Sequence, residues 1–600
     1  MADDQHNLER TYSRESRLQR DGLEQEATPV ALVRSVTQRT SNSIGPSRAR
    51  IPTIYDLDKD IEAASDGEKE KGDEIGAKES ATPESCSDDD HPGQLERRPL
   101  RFEHGDPENP NNWRMWKKLY ALFVAIMSVM NSTMGSSLAA GATAPISKHF
   151  GVTSEAQLIL PTSMYLVGYV GGPMIWGPLS ESYGRKWVMI GSFAYFTVFA
   201  IASAVAPNFA ALVVFRLMVG LGGSCAISVV GGVCADIYHD PVSRGRSMAI
   251  FMAATTFGPI LGPPISGFIS VVSWSWAFWI GAIFAGASWP LFFFFPETYG
   301  PVILKYRAQR IRKETGDMSV IAPIELEKTD LRHIITTVLT RPLRMICFEP
   351  LVLFTCLYLS FAYAIFYIYF QSFPLIFIDI YHFNAGLEGL TFLPIGVGAI
   401  VSAGLYLTWD LILRRAQEAN KPWSRNEEMR RLPLACIAGP FFVISSFWLG
   451  WTARPDIHWA VPCFASMLFG MGYLCLFMAL LNYLVDAYEV FAASAMAAAS
   501  LSRSSFGAVL PFAAKPMYRA MGVAWATSLL GFVSVGLCVV PFVFLKWGGK
   551  MRAKSKFCQY LLLKKREEAE AVERERDEKA SREALAGENN QGRPREKEEV

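Results

Sequence analysis

Gly177-Pro-Leu-Ser-Glu181-Ser-Tyr-Gly184-Arg185-Lys186 is the stretch whose reading decides the fold. Apolar runs flank it at 159–177 and 187–205, each long enough to cross a hydrocarbon core of roughly 30 Å. A crossing, a turn punctuated by Gly and Pro, two adjacent cations and a second crossing together describe a short loop. Cations in short loops mark the cytoplasmic face. The loop is therefore expected inside the cell, and every other segment can be placed relative to it.

Half of the 600 residues are apolar, and they are clustered rather than spread. Charge collects in two tails and two internal loops, a distribution that specifies an integral membrane protein. The net charge of +1 gives no signal for an acidic partner, and no nucleic acid is expected. The ten cysteines show no paired metal-type spacing. They are expected to be small buried hydrophobes, with no metal and no cofactor. The N-terminus lacks the basic-then-apolar layout of a cleaved signal, so the first span should be its own insertion signal.

Residues 1–112 are polar and are expected to form a disordered cytoplasmic tail, ending in interfacial anchors Trp113, Trp116, Lys117 and Lys118. Apolar blocks follow at 119–139, 159–178, 187–206, 209–235, 247–271 and 276–295. After a charged connector come 351–378, 386–409, 433–452, 459–485, 492–514 and 522–545. The expected architecture is all-α: a six-helix half at 113–299, a cytoplasmic loop at 300–350 and a second six-helix half at 351–546. A charged cytoplasmic tail closes the chain at 547–600. Arg185/Lys186, Arg244/Arg246, Arg414/Arg415, Arg430/Arg431 and the Lys305–Lys313 cluster all fall on one side, which puts both termini in the cytoplasm.

The halves echo one another. Glu181 precedes Arg185 and Lys186 at the offsets by which Asp410 precedes Arg414 and Arg415, and Asp236-Ile-Tyr238 parallels Asp486-Ala-Tyr488. Parallel halves around a midplane site would produce such echoes. Gly177, Glu181, Gly184, Arg185, Lys186, Asp236, Asp410 and Arg414 are accordingly expected to form an inner latch that breaks and reforms as the halves rock.

Polar residues at membrane depth mark the candidate path. At ~1.5 Å per residue, Arg216 lies about 10 Å below the outer surface. Arg503 lies about 16 Å from the inner end on the same rise. A cation there needs a polar interior, a carboxylate or a ligand. For each, a site role stands beside a structural ion pair or snorkelling. Ser360, Tyr363, Tyr367 and Gln371 form one helical stripe in span 7,, facing either a cavity or packed neighbours. Asn131 and Asn482 carry the same ambiguity. In span 5, Gly258-Pro259, Gly262 and Gly267 provide a flat face for close helix approach and prolines that bend the helix. No phosphate loop, His-Glu-x-x-His or Cys-x-x-Cys appears,, so no enzyme activity is expected.

The loop at 177–186 resembles the Gly-x-Leu-x-Asp-x-x-Gly-Arg-Lys signature of the major facilitator superfamily, with Glu181 for Asp and Ser182 for a frequent Arg. Span 5 resembles the Gly-Pro-x-x-Gly motif of its antiporters, with Ala254 and Pro263 replacing two glycines. Arg216 with Gly220, Pro296-Glu297-Thr298-Tyr299, the pre-membrane Asn109-Pro-x-Asn-Trp113, and Asp486…Ser494-Ala-Met-Ala…Arg503 are similar to the fungal twelve-span drug:proton antiporter branch. The resemblance covers roughly residues 105–550. It implies alternating-access, proton-coupled export of small hydrophobic or amphipathic compounds by a single copy in the plasma-membrane bilayer. Asn131, Arg216, Tyr363, Tyr367, Gln371, Asn482 and Arg503 would line the path. Against that stands the expectation that no acid lies near the midplane, since Glu181, Asp236, Asp410 and Asp486 sit at inner ends. Import of a nutrient or polyamine, and a non-transporting sensor, are the alternatives.

Overall fold

The computed structural model describes residues 98–103, 105–326, 339–488 and 491–555, with isolated positions as far as Arg574. The expectations for the first ninety-seven residues and for most of the C-terminal charge run lie outside the described residues.

Twelve helices carry the crossings. They are α1 (Met115–Ser137), α2 (Glu155–Tyr183), α3 (Arg185–Ala204), α4 (Phe209–Ile237), α5 (Pro241–Ile269) and α6 (Trp276–Phe293). The second set is α7 (Pro350–Phe373), α8 (Leu393–Glu418), α9 (Glu427–Thr452), α10 (Ala460–Tyr488), α11 (Ala492–Val509) and α12 (Pro511–Lys554). Eleven helical stretches among the described residues are long and apolar enough to span a bilayer. The exception is α11, whose Ser-rich sequence around Arg503 dilutes its apolar content. Helix α12 spans the end of one crossing and the whole of the last: Gly522 breaks it at φ 75°, ψ 165°. Its first eleven residues continue the line of α11, and the final crossing follows Gly522.

Packing repeats with an offset of six helices. As α2 lies on α4, so α8 lies on α10; as α1 lies on α5, so α7 lies on α11; as α3 meets α6, so α9 meets α12. The two halves meet where α2 packs on α11 and α5 on α8. An even number of crossings brings the start of α1 and the end of α12 to one face, called here the tail face. The other is the far face.

Two expectations change. The sequence predicts a turn across 177–184, but α2 continues helically through Tyr183 despite Pro178. The chain reverses only at Gly184, at φ 92°, ψ 158°, a conformation that suits a residue without Cβ. The sequence also predicts a disordered chain to residue 112. Instead Arg98–Pro99 (β1) pairs in parallel with Val320–Ile321 (β2). The chain then lies along the helix Gly300–Thr315, where Arg307 pairs with Asp106 and Arg310 with Glu108 at 3.6 Å. The Glu108 amide and the Arg307 guanidinium hold the Asp106 carboxyl below its usual range,.

Candidate functional site

Arg216 and Arg503, the two cations inside the spans, are placed very differently. The Arg216 Nε donates to the Pro161 carbonyl at 2.9 Å, and its Nη2 to the Gly135 and Ser136 carbonyls at 2.8 and 3.3 Å. Its guanidinium also stacks 4.5 Å from the Tyr165 ring and 5.5 Å from Phe278. Only 2% of the residue is exposed. Charge-assisted bonds to carbonyls offset the desolvation of the guanidinium. Arg216 thus staples the far-face ends of α1 and α2 to α4.

Arg503 is also buried, at 6% exposure, but its guanidinium has rings for neighbours: Tyr363 at 5.6 Å and Phe477 at 5.9 Å. Among the described residues, no carboxylate or carbonyl accepts from it. A guanidinium keeps five donors. Those of Arg503 are left for water or a ligand.

Around Arg503 lies an aromatic seam between the halves. From α7, the Tyr363 hydroxyl donates to the Tyr367 hydroxyl at 3.4 Å, and Tyr367 pairs with Ser136 of α1 at 2.8 Å. From α2, Tyr165 donates to the Ser132 carbonyl at 2.6 Å, while Tyr169 pairs with the Ser132 hydroxyl at 2.5 Å. The rings of Tyr473 and Phe477 of α10 pack at a tilt, 4.5 Å apart, with Phe477 6.5 Å from Tyr363. Tyr165, Tyr169, Ser132, Ser136, Tyr473 and Phe477 escape the sequence reading. The available signal was the four-residue spacing of aromatics in α2 and α10, the same that marks Tyr363/Tyr367 in α7. Gly507 of α11 lies against Tyr363 and Leu166, which closes the ring of helices around the seam.

The remaining path candidates are dispersed. Asn131 faces α6, its amide donating to the Ser288 hydroxyl at 2.9 Å and to the Met127 carbonyl at 2.8 Å. Gln371 and Asn482 are buried on α7 and α10, and among the described residues neither side chain is hydrogen-bonded to the seam. Gly258 and Gly262 let α1 approach α5, since a Cβ on either would collide with Thr133 or Ser137. Pro259 lies between them on α5. Gly267, farther along, meets the Ala385 backbone of the other half.

On the tail face, Arg185 donates to Asp236 at 3.2 Å and to the Ser180 hydroxyl at 2.6 Å. The amides of Arg185 and Lys186, the opening residues of α3, donate to the Glu297 carboxylate at 2.9 and 3.1 Å. Gly184 is pressed against that same carboxylate. The counterpart in the second half is Arg431 with Asp486 at 3.0 Å, joined by the Tyr406 hydroxyl at 2.7 Å. Asp410 and Arg414 bond at 2.8 Å along one helix turn. Glu181 is exposed and Gly177 is half-buried with open space beside it. Each of these tail-face pairs lies within one half. By contrast, Glu155 at the start of α2 accepts from Arg519 at 2.5 Å, with Lys515 at 4.0 Å, across the far face.

Twelve packed crossings in two repeated halves, with a polar-aromatic seam between them, define a membrane transporter. A family model for the Major Facilitator Superfamily matches residues 122–511. An efflux pump of Fusarium oxysporum is 35% identical over 484 residues, covering 80% of this chain and 80% of that one. Polyamine transporter 3 of Saccharomyces cerevisiae is 33% identical over 533 residues, covering 88% and 83%. Among solved structures, the proton:xylose symporter XylE bound to 6-bromo-6-deoxy-D-glucose superposes with TM-score 0.54 at 15% identity, covering 72% of this chain and 96% of that one. The chain belongs to the Major Facilitator Superfamily, and it is a multi-pass membrane transporter.

Proposed function

We propose that the protein exports small hydrophobic or amphipathic organic compounds by alternating access, driven by proton influx, as a single copy in the plasma membrane with both tails cytoplasmic. The observation that carries this reading is the unsatisfied guanidinium of Arg503, set against Tyr363 and Phe477 in the seam between the halves. Aromatic walls bind apolar rings and a few placed polar groups orient them. Arg503 would meet an acceptor or carboxylate on the compound, and Tyr363 and Tyr367 would supply ring faces and hydroxyls. The similar Fusarium pump supports the outward direction. Tail-face cations support the cytoplasmic assignment.

Uptake or export of a polyamine is the second reading, favoured by the similarity to the yeast polyamine transporter. The seam argues against it: a polycation would meet Arg503, and no carboxylate of the described residues stands beside that cation. Accumulation of a labelled hydrophobic fungicide and of labelled spermidine in cells lacking or overproducing the protein, with and without a protonophore, tests both. Lower fungicide retention that the protonophore abolishes is the expected result. Unchanged retention of every compound overturns export. A C-terminal tag reachable by antibody on intact cells overturns the orientation.

A further inference from the structure

The short helix Ala385–Leu390, which precedes α8, carries an acid that the sequence reading missed. Glu388 is 4% exposed. Among the described residues its carboxyl has neither a cation nor a hydrogen-bond donor. Buried carboxylates are stable when paired or well hydrogen-bonded, and an unpaired one is costly unless it is neutral.

Its surroundings supply no charge either. The elements packed on this helix are α5, the turn Ala140–Ala142 and the segment Pro374–Ile378. On α5 the last charged residue is Arg246, near the opposite end of the helix. The turn and the segment 374–378 hold no titratable group; beyond them Asp379, His382, Lys148 and His149 are exposed and the Tyr381 phenol is half-buried. Within 385–390 Glu388 is the sole ionisable residue, and the first charge on α8 is Asp410.

The position is a seam between halves. A Cβ on Gly389 would lie 2.6 Å from the Pro263 carbonyl oxygen, and Gly267 meets the Ala385 backbone. Backbone touches backbone there, so Glu388 is sealed only while α5 of one half lies against the entrance to α8 of the other. When the far face opens, the same carboxyl meets water.

We propose that Glu388 is a proton-binding switch for closure of the far face. With that face open, the carboxylate takes a proton from the far-side medium, releasing water from hydronium. The neutral acid can then be enclosed between α5 and the helix at 385–390 without a counter-charge. Loss of the proton to the same medium is the condition for staying open. The proposal rests on the alternating-access reading, and not on the identity or direction of the cargo.

Spin-label distances across the far face test it without a substrate. Nitroxides are placed at Val272→Cys and Asp456→Cys, both exposed positions, in a Cys86→Ser, Cys347→Ser background in lipid nanodiscs between pH 5 and pH 8. The open-to-closed ratio of the unsubstituted site should rise with pH, by at most tenfold per unit for one proton. Glu388→Gln should hold the closed distance at every pH, and Glu388→Asp should keep the slope. Glu155→Gln should shift the ratio at all pH values while leaving the slope. A pH slope that persists in Glu388→Gln, or no slope with Glu388 present, overturns the switch. Slope lost equally in Gln and Asp also overturns it, as a packing defect. Failure of the export reading shows instead as absent efflux in cells, independent of these distances.

Discussion

Arg216 and Arg503 show how far one residue type can diverge at comparable depth. Arg216 spends its donors on three carbonyls, and each bond to a charged group is worth about 1.5–3 kcal/mol. Arg216→Ala should therefore lower the melting temperature of purified protein and reduce its abundance, at a cost of about 1–3 kcal/mol for each buried carbonyl it strands. Arg503→Ala strands nothing: it should change stability by roughly 1 kcal/mol, the scale of a cation–π contact, yet abolish efflux. Arg503→Lys should keep a reduced, compound-dependent remainder, because the charge stays and the planar fork goes. Wild-type efflux by Arg503→Ala would return that residue to structure. The sequence gives depth for both through helical rise, but carbonyl partners come from α1 and α2, far away in the chain. Depth alone therefore reads as a similar role for both until the packing is seen.

At the scale of elements, the legible features are those that a helix records locally. The glycines of α5 predict close approach, and the approach is to α1 through Gly258 and Gly262. Gly262→Leu should drive those backbones apart, cost about 1–3 kcal/mol of overpacking and slow transport at least tenfold. Full-rate export would make the glycine incidental. Where helices end is less legible. Because α2 runs to Tyr183, the matched Glu181/Arg185 and Asp410/Arg414 spacings do not describe the same geometry. The first straddles a chain reversal at Gly184, and the second is one helix turn. The echo of Asp236 in Asp486 is the one that corresponds in space, through Arg185 and Arg431. Arg185 holds α2, α3 and α4 of a single half together, so Arg185→Glu should destabilise that half by about 3–5 kcal/mol. The check is thermal melting in detergent. Lost flux with unchanged melting would instead make Arg185 part of a moving latch.

Across the whole molecule, three contacts between the halves tie the far face together. Ser136 reaches Tyr367 there, Gly389 meets Pro263, and Glu155 meets Arg519 and Lys515. The ion pair is the most testable. Arg519 is largely exposed and Glu155 partly so, which limits such a pair to about 0.2–1 kcal/mol. At 1.4 kcal/mol per tenfold, as in any two-state population shift, that changes the open-to-closed ratio by roughly fivefold at most. The pair therefore biases the far face and does not lock it. Glu155→Gln should change the efflux rate by less than tenfold, more at low salt than at high. Glu155→Arg, which sets like charges against Arg519 and Lys515, should impair closure further. Adding Arg519→Glu restores an attractive pair in reverse and should recover much of the loss. The decisive measurement is the double-mutant cycle on efflux and on far-face distance. Additive effects of the two reversals would show that Glu155 and Arg519 act separately, and the far face would then be held by its backbone contacts alone.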